Sequence, residues 1–503
     1  MSKLFQVNDN LFYAENDHVK KNTFINQEIV DKPLPKYDDI KGDLPDPFWE
    51  GHEDTIKCYN KAWEIAFSNL RKAKKEAGFV SDFIDTAFNG YLFMWDSSFI
   101  MMFGKYASRI FDFQQTLDNF YSHQHKDGFI CREIHETFPG EQFSRDDPAS
   151  TGPNILPWAE WDYFCSTGDK ERLSKVFYPL LAYHEWLRLN RSWQDGSYWS
   201  CGVACGMDNQ PRLEKKYHES FSHGFLSWID ACAQQYLSAK ILIEASEILG
   251  YQDDVKELIE EAELLGKIIN NKMWDEEDGF YYDTCRDGSF TKVKSIAAYW
   301  TLMTDLVSEE RAERLISHLD NEKEFKRPNR IPSLSADHPD YQEYGGYWNG
   351  GVWAPTNYMV LLGLHKFGYN KLAYEIARDY VRNVTEVFNE TGTLFENYSP
   401  EKSAPGIPSK PDFVGWTGLA PITILFEYIF GIHPDAMNKT IDWNINLTDK
   451  HGIKNYPLGD ATVDLICEKR ESENDEPVIT VKSDKAITVN VYWNGNKKTI
   501  TSK

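Results

Sequence analysis

Two acidic loops carry the residue types that could do chemistry. Asp208 lies in Cys201-Gly-Val-Ala-Cys-Gly-Met-Asp-Asn-Gln-Pro-Arg212, and Glu396 in Gly392-Thr-Leu-Phe-Glu-Asn-Tyr-Ser-Pro400. Gly202, Gly206, Asn209 and Pro211 punctuate the first loop, so its backbone is shaped and not helical. Trp193, Tyr198 and Trp199 stand just upstream of it. Two facing carboxylates are what hydrolysis of a glycosidic bond needs. One, with a raised pKa, protonates the leaving oxygen, and the other activates water or attacks the anomeric carbon. The plainer reading of Asp208 is a turn cap, because Asp beside Gly and Pro often bonds its own backbone. The pair are 396 − 208 = 188 residues apart, so a closed fold must bring them together.

Other loops share this character. Tyr91-Leu-Phe-Met-Trp-Asp-Ser-Ser98 sets Trp95 and Asp96 side by side at a helix start, where Asp96 could contact a sugar or cap the helix. Arg132 and Glu133 follow a turn at Asp127-Gly128. Gly345-Gly-Tyr-Trp-Asn-Gly-Gly-Val-Trp-Ala-Pro355 combines glycines, which let a backbone approach a ligand, with Trp348 and Trp353 as platforms. The same density of small residues also suits a packed helix entry. The segments Trp274–Asp283 and Asn389–Gly392 read as β-turns between helices, and the first lacks the spacing of a calcium loop. Cys201 and Cys205 have no second pair at zinc-like spacing, and the histidines form no metal pattern. No metal or cofactor is expected.

Aromatic residues make up 15% of the chain, which suits clefts where sugar C–H faces pack on rings. The net charge of -24 argues against nucleic acid, which needs a basic patch, and against an anionic membrane surface. The expected partner is a small carbohydrate. No stretch approaches the roughly 20 apolar residues of a membrane span. The first ten residues lack an apolar signal core, and the eight cysteines are scattered, so a cytoplasmic location is expected.

The elements that must position these loops are helices. Residues 1–49 read as an arm rich in proline near its end. From about 50, apolar residues recur at helical spacing, as in Ile56-Tyr59-Ala62-Trp63-Ala66-Phe67-Leu70. Further helices are predicted near 93–106, 109–123, 152–167, 170–191, 221–249, 251–272, 293–305, 307–319, 350–366, 368–390 and 415–430. Some are apolar nearly all round and others carry a charged face, which predicts two concentric layers. Twelve helices so arranged make an all-α (α/α)6 barrel over 50–432. Beyond it, alternating segments and the turn Asn494-Gly495 predict a small β-sheet module over 433–503.

Trp95-Asp96, Gly206-Met-Asp-Asn-Gln-Pro-Arg212, Tyr347-Trp-Asn-Gly-Gly-Val-Trp353, Phe395-Glu-Asn-Tyr398 and Phe413-Val-Gly-Trp-Thr-Gly-Leu419 together resemble glycoside hydrolase family 63. The resemblance covers roughly 50–432 and echoes trehalases and glucoamylases. It implies the (α/α)6 barrel, Asp208 as general acid, and Glu396 as general base on water with inversion. It further implies that Trp95, Asp96, Trp348, Asn349 and Trp353 shape the subsite of the cleaved sugar, with Arg132 and Trp416 nearby. The chain differs from the family's glycerate hydrolases in its C-terminal β module, and no carboxylate-binding cluster is evident for a glycerate. The expected activity is inverting exo-α-glycosidase action on a short oligosaccharide or glycoside, glucosyl before mannosyl. A sugar epimerase or lyase on the same barrel, or a non-catalytic carbohydrate-binding protein, are the alternatives.

Overall fold

Burial divides the helices of this chain into two sets. The computed structural model describes residues 15–86 and 89–502. Met94–Gly104 and Ala420–Ile429 bury every residue, and Ala354–Lys366 and Ile229–Leu249 bury most of theirs. Glu53–Ser68, Lys256–Lys272 and Asn370–Thr391 instead alternate buried and exposed positions at helical spacing. A helix that is apolar all round must be enclosed, whereas an amphipathic one can face water on one side.

Among the described residues the enclosed segments pack on one another in chain order. Met94–Gly104 contacts Leu156–Thr167, which contacts Ile229–Leu249, then the 3₁₀ segment Ile296–Met303, then Ala354–Lys366. The π-helical segment Ala420–Ile429 follows and packs back on Met94–Gly104. The amphipathic partners lie outside this ring, Lys170–Asn190 against Ile229–Leu249 and Asn370–Thr391 against Ala420–Ile429. Long loops precede each enclosed segment, so they gather at the N-terminal ends of the ring, while short turns such as 168–169 and 367–369 lie at the other end.

Several boundaries move from their expected places for local reasons. The helix expected from 221 begins at Ile229, because Gly224 and Phe225 are both left-handed, at φ of 59° and 57°. The region 109–123 splits into a 3₁₀ turn, Phe113–Leu117, and the short helix Asp118–Ser122. The turn expected at Asn389–Gly392 is instead the last turn of Asn370–Thr391, which stops at Gly392 with φ 77°. The Asp-Gly turn after Trp274 is a hairpin as expected, pairing Trp274 with Tyr281.

The C-terminal residues build two four-stranded sheets. One runs Asp46–Trp49, His451–Leu458, Ala461–Cys467, Ile479–Ser483, so the end of the N-terminal arm supplies an edge strand. The other runs Asn496–Ser502, Ile487–Trp493, Thr440–Asn444, Ile432–Asp435. Asn494 and Gly495 at φ 38° and 77° make the tight turn that sets Trp493 opposite Asn496. The sheets cover the end of the ring away from the long loops, where Gly459 N–H donates to Ser166 O at 3.1 Å and Trp443 Nε1 to Phe430 O at 2.9 Å.

A buried charge cluster ties the ring shut. Lys105 Nζ, with a side chain 2% exposed, donates to both Asp162 oxygens and to Glu427 Oε1, each at 3.0 Å. Tyr106 and Tyr358 hydroxyls donate to the two Glu427 oxygens at 2.7 and 2.9 Å. Four enclosed segments, or the turns at their ends, thus share one ammonium and two carboxylates. Removing one member leaves unpaired buried charge, which costs about 3–5 kcal/mol. Lys105→Met is therefore expected to lower the unfolding free energy by that amount, read as a lower denaturant midpoint with an unchanged slope. A loss under about 1 kcal/mol would mean the cluster does not hold the closure.

Candidate active site

The loop that carries Asp208 is pinned residue by residue. After one helical turn, Gly202–Cys205, the chain reverses at Gly206, where φ is 79°. A Cβ there would meet the Trp95 ring at 2.8 Å, so glycine is required both by the backbone and by the indole packed on it. Asn209 accepts from Trp348 N–H at 2.9 Å and donates to Gly346 O at 3.0 Å, tying this loop to the Gly-Trp loop. Gln210 donates to Ser333 O at 2.7 Å. Arg212 is buried and forks to Asp230 at 2.6 and 2.8 Å and to Asp283 at 2.7 and 2.8 Å.

Glu396 is held by its own loop and two others. Its N–H donates to Lys410 O at 2.9 Å, and Trp416 Nε1 donates to its carbonyl at 2.7 Å. The carboxylate accepts from the Tyr347 hydroxyl at 2.8 Å and from Lys410 N–H at 3.3 Å. Tyr347 has φ 63°, a region that bulky residues avoid at a cost of roughly 1–2 kcal/mol. That strain aims its hydroxyl at Glu396.

These loops enclose a cavity of about 320 Å³. Asp208, Glu396, Trp95, Asp96, Arg132, Trp348 and Trp416 all line it. Two expected residues do not. Trp353 is fully buried behind the wall, its ring stacked on Trp348 at 3.9 Å and 2° and its Nε1 donating to Tyr347 O. Asn349 lines the neighbouring cavity, because the chain turns outward after Trp348. Asp96 is not a helix cap, because it sits inside the first turn of Met94–Gly104, whose N-cap position is Phe93; Asp208 lies in a turn on the cavity wall. Tyr347, Glu133, Lys410 and Phe413 also contribute to the lining. Tyr347 had a signal in the preceding Gly345-Gly346, whereas Lys410 reaches the site through strand-like pairing that local sequence does not announce.

The cavity is dense in carboxyl groups, and burial pushes their pKa values up. At Asp208 burial raises the value, opposed by the charge of Arg132 and then by its own backbone N–H. At Glu396 burial raises it, opposed by the Tyr347 hydroxyl and the Lys410 N–H, while the Asp208 charge adds to the rise. Asp96 lies well above the carboxylate range through burial and then the Glu396 charge. Glu133 is raised by burial and restrained by Arg132, with which it pairs at 2.5 Å. The Tyr347 hydroxyl and the Lys410 N–H favour the charged form of Glu396, and the Arg132 charge favours that of Asp208. The site can therefore hold a proton on one carboxyl and a charge on another.

A group that must be ionised to act sets the acidic limb of a rate profile. Tyr347→Phe removes a donor that lowers the Glu396 pKa, so that pKa rises. The acidic limb of kcat/KM against pH is expected to move to higher pH, while the alkaline limb moves less. Equal movement of both limbs, or of neither, would detach Tyr347 from Glu396.

The model of the mannosylglycerate hydrolase MGH1-like glycoside hydrolase domain matches residues 90–417. An uncharacterized protein of Borreliella burgdorferi is 26% identical over 434 residues, covering 83% of this chain and 88% of that one. A probable mannosyl-oligosaccharide glucosidase of Schizosaccharomyces pombe is 24% identical over 345 residues, 64% of this chain and 40% of the relative. The crystal structure of the GH63 mannosylglycerate hydrolase from Thermus thermophilus in complex with glucose has a TM-score of 0.60 at 20% identity. It is matched over 99% of its length by 72% of this chain, a likeness of fold. Five motifs in order and the match over 90–417 agree: the chain belongs to the MGH1-like domain family within glycoside hydrolase family 63 and is a glycoside hydrolase.

Proposed function

We propose that the protein is an inverting exo-α-glycosidase that removes a terminal α-linked sugar, glucose before mannose, from a short oligosaccharide or glycoside. The observation that carries this reading is the cavity itself, where Asp208 and Glu396 face one buried space but are held in different ways. Asp208 is the general acid and Glu396 the general base. Water attacks the anomeric carbon as Glu396 takes its proton. The glycosidic C–O bond breaks, and the Asp208 proton goes to the leaving oxygen. Inversion calls for carboxyl groups about 6.5–9.5 Å apart with one water between Glu396 and the sugar.

The small volume suits a single terminal sugar, which supports exo action. Trp95, Trp348 and Trp416 offer faces to its C–H edges, and Asp96 and Arg132 reach its hydroxyls. Trp353 supports Trp348 from behind. The preference for glucose draws on the glucosidase name of one relative and the glucose complex of another. The closed packing of the enclosed segments, with amphipathic partners outside, supports an (α/α)6 barrel. We divide the chain into that barrel over 50–432 and a β module over 433–503 that borrows its edge strand from the arm. No helix of the described residues is long and apolar enough to cross a membrane. The eight cysteines are free thiols, which supports a cytoplasmic setting. Epimerases on such barrels shuttle protons with histidine, and no histidine lines this cavity among the described residues.

Asp208→Asn and Glu396→Gln are each expected to lower kcat by roughly 10²–10⁴-fold with the fold intact by circular dichroism. Proton NMR during turnover of α-linked glucosides and mannosides is expected to show the β-anomer first. Initial release of the α-anomer would replace inversion by retention, and full activity in either variant would remove the assignment.

A further inference from the structure

Besides Asp208 and Glu396, Asp96 and Glu133 put carboxyl groups on the cavity wall, and Glu133 forms an ion pair there. Glu133 and Phe93 stand opposite one another in the short antiparallel ladder of Tyr91–Phe93 with Glu133–His135, and both line the cavity. Side chains alternate along a strand, so Leu92 and Ile134 turn to the core and are fully buried. Arg132 lies just before the strand, where alternation no longer holds, and it lines the cavity beside Glu133. Its backbone is fixed from both sides. The N–H donates to Ser150 O and the carbonyl accepts from Met94 N–H, each at 2.9 Å. The guanidinium donates from Nε to Ala149 O at 2.7 Å and stands 4.8 Å from the centre of the Phe143 ring. Its outer end meets Glu133 Oε1 at 2.5 Å, with the two side chains 13% and 10% exposed.

Asp208 faces this pair with little support of its own. Among the described residues only its own backbone N–H is aimed at its carboxyl, whereas Glu396 has the Tyr347 hydroxyl and the Lys410 N–H. Whether Asp208 holds a proton is therefore set by burial, which favours the neutral acid, against the Arg132 charge, which favours the carboxylate. An uncompensated guanidinium in a buried cavity is felt strongly, because its surroundings screen it poorly. Glu133 sets an opposite charge on that same guanidinium. The other titratable groups facing the space are Glu396, Tyr347, Lys410 and Asp96, the last kept well above the carboxylate range by burial and the Glu396 charge. Glu396 responds to the Asp208 and Lys410 charges, whereas Glu133 responds to those of Arg132 and Asp208. Glu133 thus belongs to the Asp208 side of the cavity.

Resting on the glycosidase reading above, we propose that Glu133 is a positioning residue for the general acid. By holding and neutralising the Arg132 guanidinium, it leaves Asp208 able to keep the proton that the leaving oxygen takes. Each acid then has its own supporting residue. The Tyr347 hydroxyl favours the charge on Glu396, and Glu133 favours the proton on Asp208. Glu133 itself neither gives nor takes a proton in the reaction.

The test is the profile of kcat/KM against pH in Glu133→Gln. The amide keeps the size of the side chain and an acceptor for Arg132 but removes the charge, so Asp208 loses its proton at lower pH. The alkaline limb is expected to move down by about one pH unit, with the acidic limb, set by Glu396, moving less. In the double variant Arg132→Gln, Glu133→Gln the alkaline limb is expected back near its wild-type position, even with slower turnover. A merely structural role would lower the rate at every pH, and the second change would deepen the loss. An unmoved alkaline limb in Glu133→Gln overturns the proposal. So does a loss of turnover at every pH as deep as in Asp208→Asn, which would place Glu133 in the chemistry itself. Carbon-13 NMR titration of the aspartate-labelled chain separates the two readings, with the Asp208 carboxyl identified by its absence in Asp208→Asn. A lower Asp208 midpoint in Glu133→Gln supports the link from Glu133 to Asp208 even where no glycoside is cleaved, an outcome that sinks the glycosidase reading alone. An unchanged midpoint overturns the link.

Discussion

The geometry of the site depends on Arg212 and the two carboxylates that clamp it. Asp230 lies in the first turn of Ile229–Leu249, and Asp283 also accepts from Ile229 N–H at 2.8 Å. The guanidinium lies 4.2 Å from the centre of the Trp228 ring. One buried fork thus joins the acid-bearing loop, the start of an enclosed helix and the loop before the next enclosed segment. Two carboxylates and one guanidinium are expensive to bury, and well-packed apolar residues often stabilise as much. What an apolar cluster would lack is direction. The planar fork fixes the loop in one orientation, four residues from Asp208.

The same loop is held at each polar position, by Asn209, Gln210 and Arg212, so little freedom is left to Asp208 itself. Glu396 is fixed differently, by backbone pairing to Lys410 and by a hydroxyl on strained Tyr347. This asymmetry matters for the chemistry. Both carboxyls are raised by burial and are restrained differently, Glu396 first by the Tyr347 hydroxyl and the Lys410 N–H, Asp208 first by the Arg132 charge. Because Asp96 and Glu133 share the field, the four carboxyls titrate as a coupled group.

Much of the helical layout could be read from periodicity, since a buried segment must be apolar all round whatever it packs against. Ile229–Leu249 and Asn370–Thr391 show where such reading slips. The first starts late because two left-handed residues precede it, and the second runs through an expected turn to a glycine cap. The arm's pairing with His451–Leu458 joins residues about 400 positions apart, beyond any local pattern. Of the aromatic platforms, Trp95, Trp348 and Trp416 face the cavity, while Trp353 is set behind Trp348. A Trp among glycines reads the same in sequence whether it faces a ligand or supports the residue that does.

Residue type and local turn chemistry were enough to mark Asp208 and Glu396 as carboxylates on shaped, aromatic loops, and the order of motifs was enough to mark the family. Both follow from short-range rules, which need no knowledge of neighbours in space. The closed ring decided that the two acids share one cavity, that burial shifts their protonation, and that Tyr347 and Lys410 serve Glu396. Desolvation and hydrogen bonding depend on what surrounds a side chain in three dimensions, and those surroundings come from loops up to several hundred residues apart. Asn349 shows the limit most plainly: a single turn of the chain after Trp348 moves it from the cavity of Asp208 and Glu396 to the next.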